Sequence, residues 1–156
     1  MKTAEDAEET SAETISVSSH LLDIDEVTGA VVDAAMRVHT ALGPGMLESV
    51  YEKCLKHELV KHGWRVRSQV WLPVIYDGVE IEGGYKIDLL VEDCVIVELK
   101  VVEKILEVHR AQLLSYLKLS NKRVGLLLNF NVVHLREGIR RLVNSYCRSE
   151  KPVFAG

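Results

Sequence analysis

Cysteine, proline and aromatic residues are all scarce in this chain: three Cys, three Pro and 6% aromatics in 156 residues. Cys54, Cys94 and Cys147 are odd in number, far apart and without a Cys-x-x-Cys pair, which argues against a disulfide framework and a structural zinc site. Free thiols are expected. No apolar run is long enough to span a bilayer, and the start lacks the basic and apolar stretches of a secretory signal. A cytoplasmic protein with no membrane association is the resulting expectation. A basic excess is also missing, with a net charge of −4. That average hides an asymmetry, because Leu99 to Arg148 carries ten Lys and Arg against three Glu. One face could therefore meet a polyanion while the rest repels it, although scattered solvated bases would give the same count. Lys118, Lys122, Arg123, Arg136, Arg140 and Arg141 are candidates to track a phosphate backbone. No aromatics interleave with them to suggest base stacking, so sequence-specific recognition by this chain alone is not expected.

What is present suits one ordinary domain, at 47% hydrophobic and 27% charged. Met1 to Ser19 holds five acidic side chains and almost no large apolar group, so residues 1–22 read as a disordered acidic tail. Residues 23–148 form the expected domain, with a short tail at 149–156. Ile24, Val27, Val31, Ala34, Ala35 and Val38 recur at helical spacing, predicting a helix over 25–42 that Gly43-Pro44-Gly45 ends. A second helix is expected over 46–62, with Gly63 as its stop. Residues 64–75 read as extended, with Pro73 marking an edge or an irregularity. Asp77-Gly78 signals a hairpin into Val79-Glu80-Ile81, and Gly83-Gly84 opens the next strand. A third helix is predicted from Glu107 or Val108 to Leu119, then a buried strand over 123–130. Residues 139–143 read as strand in preference to helix. This order describes an α/β sandwich with a mixed sheet.

Two apolar runs, 84–91 and 94–100, carry Asp88 and the triplet Glu98-Leu99-Lys100. Buried strands tolerate ionisable groups poorly unless these are paired or bound to metal. Two carboxylates and a lysine converging there suit a hard cation with an ammonium placed to position or activate water. Ion pairing of Asp88 and Glu98 with Lys86 and Lys100 is the competing reading, though surface pairs contribute only about 0 to 1 kcal/mol. Parity matters here. A two-residue turn at Glu92-Asp93 would set Asp88 opposite Val97 and send Glu98 to the other face. A shared site therefore predicts an odd loop or a bulge.

These blocks resemble the PD-(D/E)XK nuclease superfamily, and within it the GxxExxY family. Gly45-Met46-Leu47-Glu48-Ser49-Val50-Tyr51 supplies the family's name motif, Asp88 with Glu98-x-Lys100 the central signature, and Gln112-x-x-x-Tyr116 a Gln-x-x-x-Tyr element. Ile87 stands where the fullest signature has proline. The resemblance implies a restriction-endonuclease-like three-layer α/β/α sandwich with a central mixed β-sheet. It implies a metal-dependent nuclease hydrolysing phosphodiester bonds of DNA or, second, RNA, with Mg²⁺ as cofactor and Mn²⁺ as substitute. Glu48, Asp88 and Glu98 would be metal ligands, and Lys100 would act with Asp88 and Glu98 in catalysis. Gln112, Tyr116, Tyr51 and His109 would support the site or touch substrate. With Gly45 as N-cap, Glu48 would fall at the third helical position, where a Glu also serves as a cap. A homodimer is left open, since compact nucleases often pair to engage two strands. The alternative to an enzyme is a nucleic-acid-binding or protein-interaction module on a nuclease scaffold without turnover.

Overall fold

A computed structural model describes residues 22–147. Except for Leu22, the expected acidic tail lies outside the described residues, as do Arg148 and the C-terminal tail. Helix α1 (Ile24–Leu42) starts where the Asp23 carboxylate accepts the Asp25 N–H at 2.9 Å. It buries Val27, Val31, Ala34, Ala35 and Val38 and stops at Gly43, whose φ of 66° favours a residue without a Cβ. Helix α2 (Glu48–Lys61) begins two residues later than the pattern suggested. Its N-cap is Leu47, not Gly45, so Glu48 is the first helical residue rather than the third. The reciprocal capping expected of a third-position Glu is absent, because no side chain caps this end. The helix docks through Tyr51, Leu55 and Leu59.

Five strands follow the order β1 (Val66–Tyr76), β2 (Val79–Val91), β3 (Val95–Lys100), β4 (Val124–Asn129) and β5 (Ile139–Val143) across one sheet. Only β3 and β4 are parallel, so the sheet is mixed. Between them in sequence runs α3 (Glu107–Ser120), on the face opposite α1 and α2, as the crossover that a parallel pair needs. The result is three layers with a core on each face. Leu89, Val91, Val95, Val97, Leu99, Leu126 and Leu128 pack with α1 and α2. Leu90, Ile96 and Leu127 pack with Leu113, Tyr116 and Leu117 of α3. A short 3-10 turn, Leu135–Gly138, precedes β5, and the final segment is a strand as expected. Among the described residues, no helix is long and apolar enough to cross a membrane. Cys54 and Cys94 are free thiols.

The segments 79–81 and 84–91 are one continuous strand instead of two pieces. Gly84 passes so close to the Leu72 carbonyl that any Cβ would collide with it. The register shifts between Leu72 and Val74, at the irregularity expected of Pro73 on an edge strand. The β2–β3 loop is Glu92-Asp93-Cys94, and the pairs Val91↔Val95 and Leu89↔Val97 follow from that odd length. Glu92 and Asp93 both adopt left-handed φ, 51° and 55°. The loop is held because Glu92 donates its N–H to the Arg65 carbonyl at 2.9 Å and accepts the Arg65 N–H at 2.8 Å. One step beyond Leu89↔Val97, Asp88 stands opposite Glu98.

The outer hairpin also rolls over at this level. Leu89 packs on the α1/α2 side and Ile87, two residues back, on the α3 side, although strict alternation would keep them on one face. Across β1, Val66 packs on the first core and Val70 on the second. Between them Gln69, facing the Asp88 level, has a φ of 53°, rare for a residue with a side chain. The roll delivers Asp88 to the seam between hairpin and inner sheet.

Candidate active site

Where the regular β2–β3 pairing ends, carboxylates take over backbone hydrogens. Asp88 Oδ2 accepts the Leu99 N–H at 2.9 Å, and Glu98 Oε1 accepts the Asp88 N–H at 3.0 Å. The two carboxyl groups also lie within hydrogen-bonding reach of each other. Glu98 is only 4% exposed. Burial first, then the neighbouring Asp88 charge, push its pKa up to about 9. Neither acid joins an ion pair among the described residues, and Lys86 instead sits over the Trp71 ring at 4.4 Å. The competing ion-pair reading is therefore not what the structure contains.

Lys100 follows on the same strand, and its Nζ donates to Gln112 Oε1 at 3.3 Å. Its backbone is fixed as well, since its carbonyl accepts the Phe130 N–H at 3.0 Å. Gln112 and Tyr116 lie on adjoining turns of α3, and Tyr116 is 4% exposed. Burial and the Glu98 and Asp88 charges push the Tyr116 hydroxyl up to about 12, so it stays protonated and can donate. His109 starts the same helix, its Nδ1 accepting the Leu106 N–H at 3.0 Å, which places the ring proton on Nε2.

Glu48 reaches the group from the N-terminus of α2. Its pKa is raised by partial burial and then by Asp88, while Lys100 opposes the shift. Tyr51 lies elsewhere than against the acids. Its ring stacks on Phe130 at a centroid distance of 4.5 Å, and its hydroxyl donates to the Gly43 carbonyl at 2.5 Å and accepts the Met46 N–H at 3.1 Å. It braces the loop that launches α2, so its support of the site passes through Glu48's helix.

Asp88 and Glu98 thus come together with Lys100, Gln112 and Tyr116, and Glu48 stands within charge range. Among the described residues, no group of three His, Cys, Asp or Glu side chains gathers as a ligand cluster, so the expected Glu48–Asp88–Glu98 set is not assembled. Three carboxylates repel one another unless a cation or proton lies between them. The donor chemistry still fits a hard divalent cation: two oxygen donors opposed on adjacent strands, oriented by backbone N–H groups, with a third carboxylate nearby. A place where two acids can share a proton is also one that a cation can occupy.

Two residues here had little or no sequence signal. Asn129, 2% exposed at the end of β4, accepts the Val102 N–H at 3.1 Å and donates to the Val102 carbonyl at 2.9 Å, clamping the chain just after Lys100. One polar residue closing the apolar run 124–128 was its only sequence trace. Tyr85 stands 5.3 Å from Tyr116 between ring centroids and is 47% exposed. The basic residues, in contrast, are divided between the two ends of the sheet, with Arg140 level with Glu98 across β4 and Arg136 in the turn just before it. Lys118, Lys122 and Arg123 lie towards the end of the sheet opposite Lys100, Lys122 pairs with Asp93, and Arg141 pairs with Asp25 across the far edge.

No curated protein and no solved structure matches this chain. The family model described as the PD-(D/E)XK nuclease superfamily matches residues 25–142, from the first turn of α1 into β5. With that match over well more than half of its length, and a five-stranded mixed sheet of restriction-endonuclease-like α/β/α form, the chain belongs to the PD-(D/E)XK nuclease superfamily.

Proposed function

We propose that this protein is a metal-dependent nuclease of the GxxExxY type, hydrolysing phosphodiester bonds of nucleic acid, with DNA placed before RNA. The observation that carries the reading is the buried Asp88–Glu98 pair with Lys100 anchored beside it. Two acids crowded together out of water cost stability as soon as both ionise, and a catalytic centre gives that arrangement a use. An inert binding module would have no need of it.

Mg²⁺ or Mn²⁺ held by Asp88 and Glu98, with Glu48 facing it, would neutralise phosphate charge and lower the pKa of a bound water. The backbone N–H groups of Asp88 and Leu99 keep one oxygen of each acid in place, so the pair presents a fixed edge instead of two free rotors. Lys100 Nζ, steadied by Gln112, donates to the attacking water or to a non-bridging phosphate oxygen and keeps the attack in line. The Tyr116 hydroxyl, held in its protonated form, offers a second donor to the phosphate. Attack on phosphorus breaks a P–O bond, and one strand leaves with a terminal hydroxyl.

The test is cleavage of labelled oligonucleotides by the full chain with Mg²⁺ or Mn²⁺, beside Lys100→Ala. Removing a positioned proton-transfer group costs about 10²- to 10⁴-fold, and Lys100 is partly exposed, so the variant should melt like the parent while cutting that much more slowly. If the parent cuts no DNA or RNA with either metal, or Lys100→Ala cuts as fast as the parent, the reading is wrong.

A further inference from the structure

A cavity of about 490 Å³ opens directly beside Lys100, between β2 and α3. Its wall includes Tyr85, Lys100, His109, Gln112 and Tyr116. Tyr85 and Tyr116 meet at 48° between ring planes, and Tyr116 is buried while about half of Tyr85 is open. The cavity thus has an aromatic wall with accessible ring surface, and polar groups at fixed positions around it. Gln112 is tied to Lys100, and His109 presents Nε2–H because Nδ1 is occupied. Its size lies within the roughly 300–1,000 Å³ of small-molecule sites, ample for one planar heterocycle.

We propose that this cavity holds a nucleobase next to the scissile phosphate, stacked on Tyr85, so that the preferred substrate is single-stranded or locally unpaired nucleic acid. The inference deepens the nuclease reading and rests on it for the identity of the ligand. A base inside a duplex has both faces covered by its neighbours and cannot enter a side cavity, whereas an unpaired base has free faces for an aromatic side chain. Every base has such a face, so stacking here gives preference for strand state without preference for sequence. This platform lies on the outer hairpin, apart from the basic residues singled out in the sequence.

The experiment is fluorescence anisotropy of a labelled single strand of about twelve nucleotides and of its blunt duplex, with Ca²⁺ replacing Mg²⁺ so that binding is read without turnover. The full-length parent should bind the single strand about tenfold or more tighter than the duplex. Tyr85→Ala should collapse that ratio by roughly tenfold, the loss of one base stack, and Tyr85→Trp should preserve it. Tyr85 is half exposed, so both variants should fold, and Tyr85→Trp keeps the test open if Tyr85→Ala does not. Equal affinity of the parent for both forms overturns the proposal, as does an unchanged ratio in Tyr85→Ala or a collapsed one in a folded Tyr85→Trp. Strand preference without any cleavage under Mg²⁺ or Mn²⁺ would keep the cavity and sink the nuclease reading. Cleavage indifferent to strand state and to Tyr85 would do the reverse.

Discussion

The inner strands β3 and β4 and the outer hairpin β1–β2 solve different problems. β3 and β4 are six residues each, parallel, in unbroken register and almost wholly buried. Such strands are Val- and Leu-rich because both faces are covered. The hairpin strands are 11 and 13 residues long, rolled at Gln69 and Asp88 and shifted again at Pro73, and they expose Trp71, Ile75, Tyr76, Ile81 and Tyr85. The acids and the lysine sit at the seam. The rigid side fixes Glu98 and Lys100, and the irregular side supplies Asp88 and the Tyr85 ring. A fully regular hairpin would have kept its backbone hydrogens for the ladder and left no N–H for Glu98 to accept.

The sharpest way to break this contrast is to truncate one aliphatic side chain on each side. Leu99→Ala empties a fully buried position in the inner sheet and should cost about 2 to 5 kcal/mol. Ile75→Ala, at 65% exposure on the hairpin, should stay within about 0.5 kcal/mol. Urea titrations of both would check the pair, and similar losses would mean that the hairpin is as integral to the core as the inner strands.

The second prediction concerns the seam. The Glu98 pKa is raised in the folded protein, so the fold favours the protonated form. Its contribution is fully present below the unfolded value near 4.5 and is lost as pH rises towards about 9. Glu98→Gln has no proton to lose, can still accept the Asp88 N–H, and can never place a second charge beside Asp88. Between pH 5 and pH 8 without metal, the parent should lose stability on the order of 1 kcal/mol or more relative to Glu98→Gln, while the variant loses cleavage. Parallel stability curves for the two proteins would show that Glu98 is ionised at no cost.

Much of this was legible in the residues, and the failures have physical causes. α1 could be read because six apolar residues at helical spacing meet one sheet face. Parity narrowed the β2–β3 connection to an odd loop or a bulge, and the structure has the odd loop that lets Asp88 and Glu98 share a site. Glu48 was misplaced within its helix because Gly45, with a φ of 99°, belongs to the turn and leaves Leu47 as N-cap, a residue no capping rule favours. β2 was split because two consecutive glycines suggest a break, whereas here Gly84 lets the backbone pass against Leu72 and Gly83 takes a φ of 84°. The roll at Gln69 and the approach of Tyr85 to Tyr116 left no local trace. Both depend on strands far apart in sequence, and alternation rules assume a strand keeps its faces.

Two smaller effects test how the seam is braced from each side. Asn129→Ala leaves the Val102 N–H and carbonyl, partly buried, without their partner and should cost about 1 to 3 kcal/mol. Cleavage should fall with it, because the chain leaving Lys100 loses its clamp; melting and initial rates would check both. Tyr51→Phe should do least. Its ring still fills the core against Phe130, and only the hydroxyl that joins Gly43 to Met46 is lost, worth about 0.5 to 1.5 kcal/mol. If Tyr51 acts only as a brace for the start of α2, metal-dependent activity should drop a few-fold with its pH profile unmoved. A shifted profile would place the hydroxyl in the chemistry itself, and the bracing role assigned to it by Gly43 and Met46 would then be incomplete.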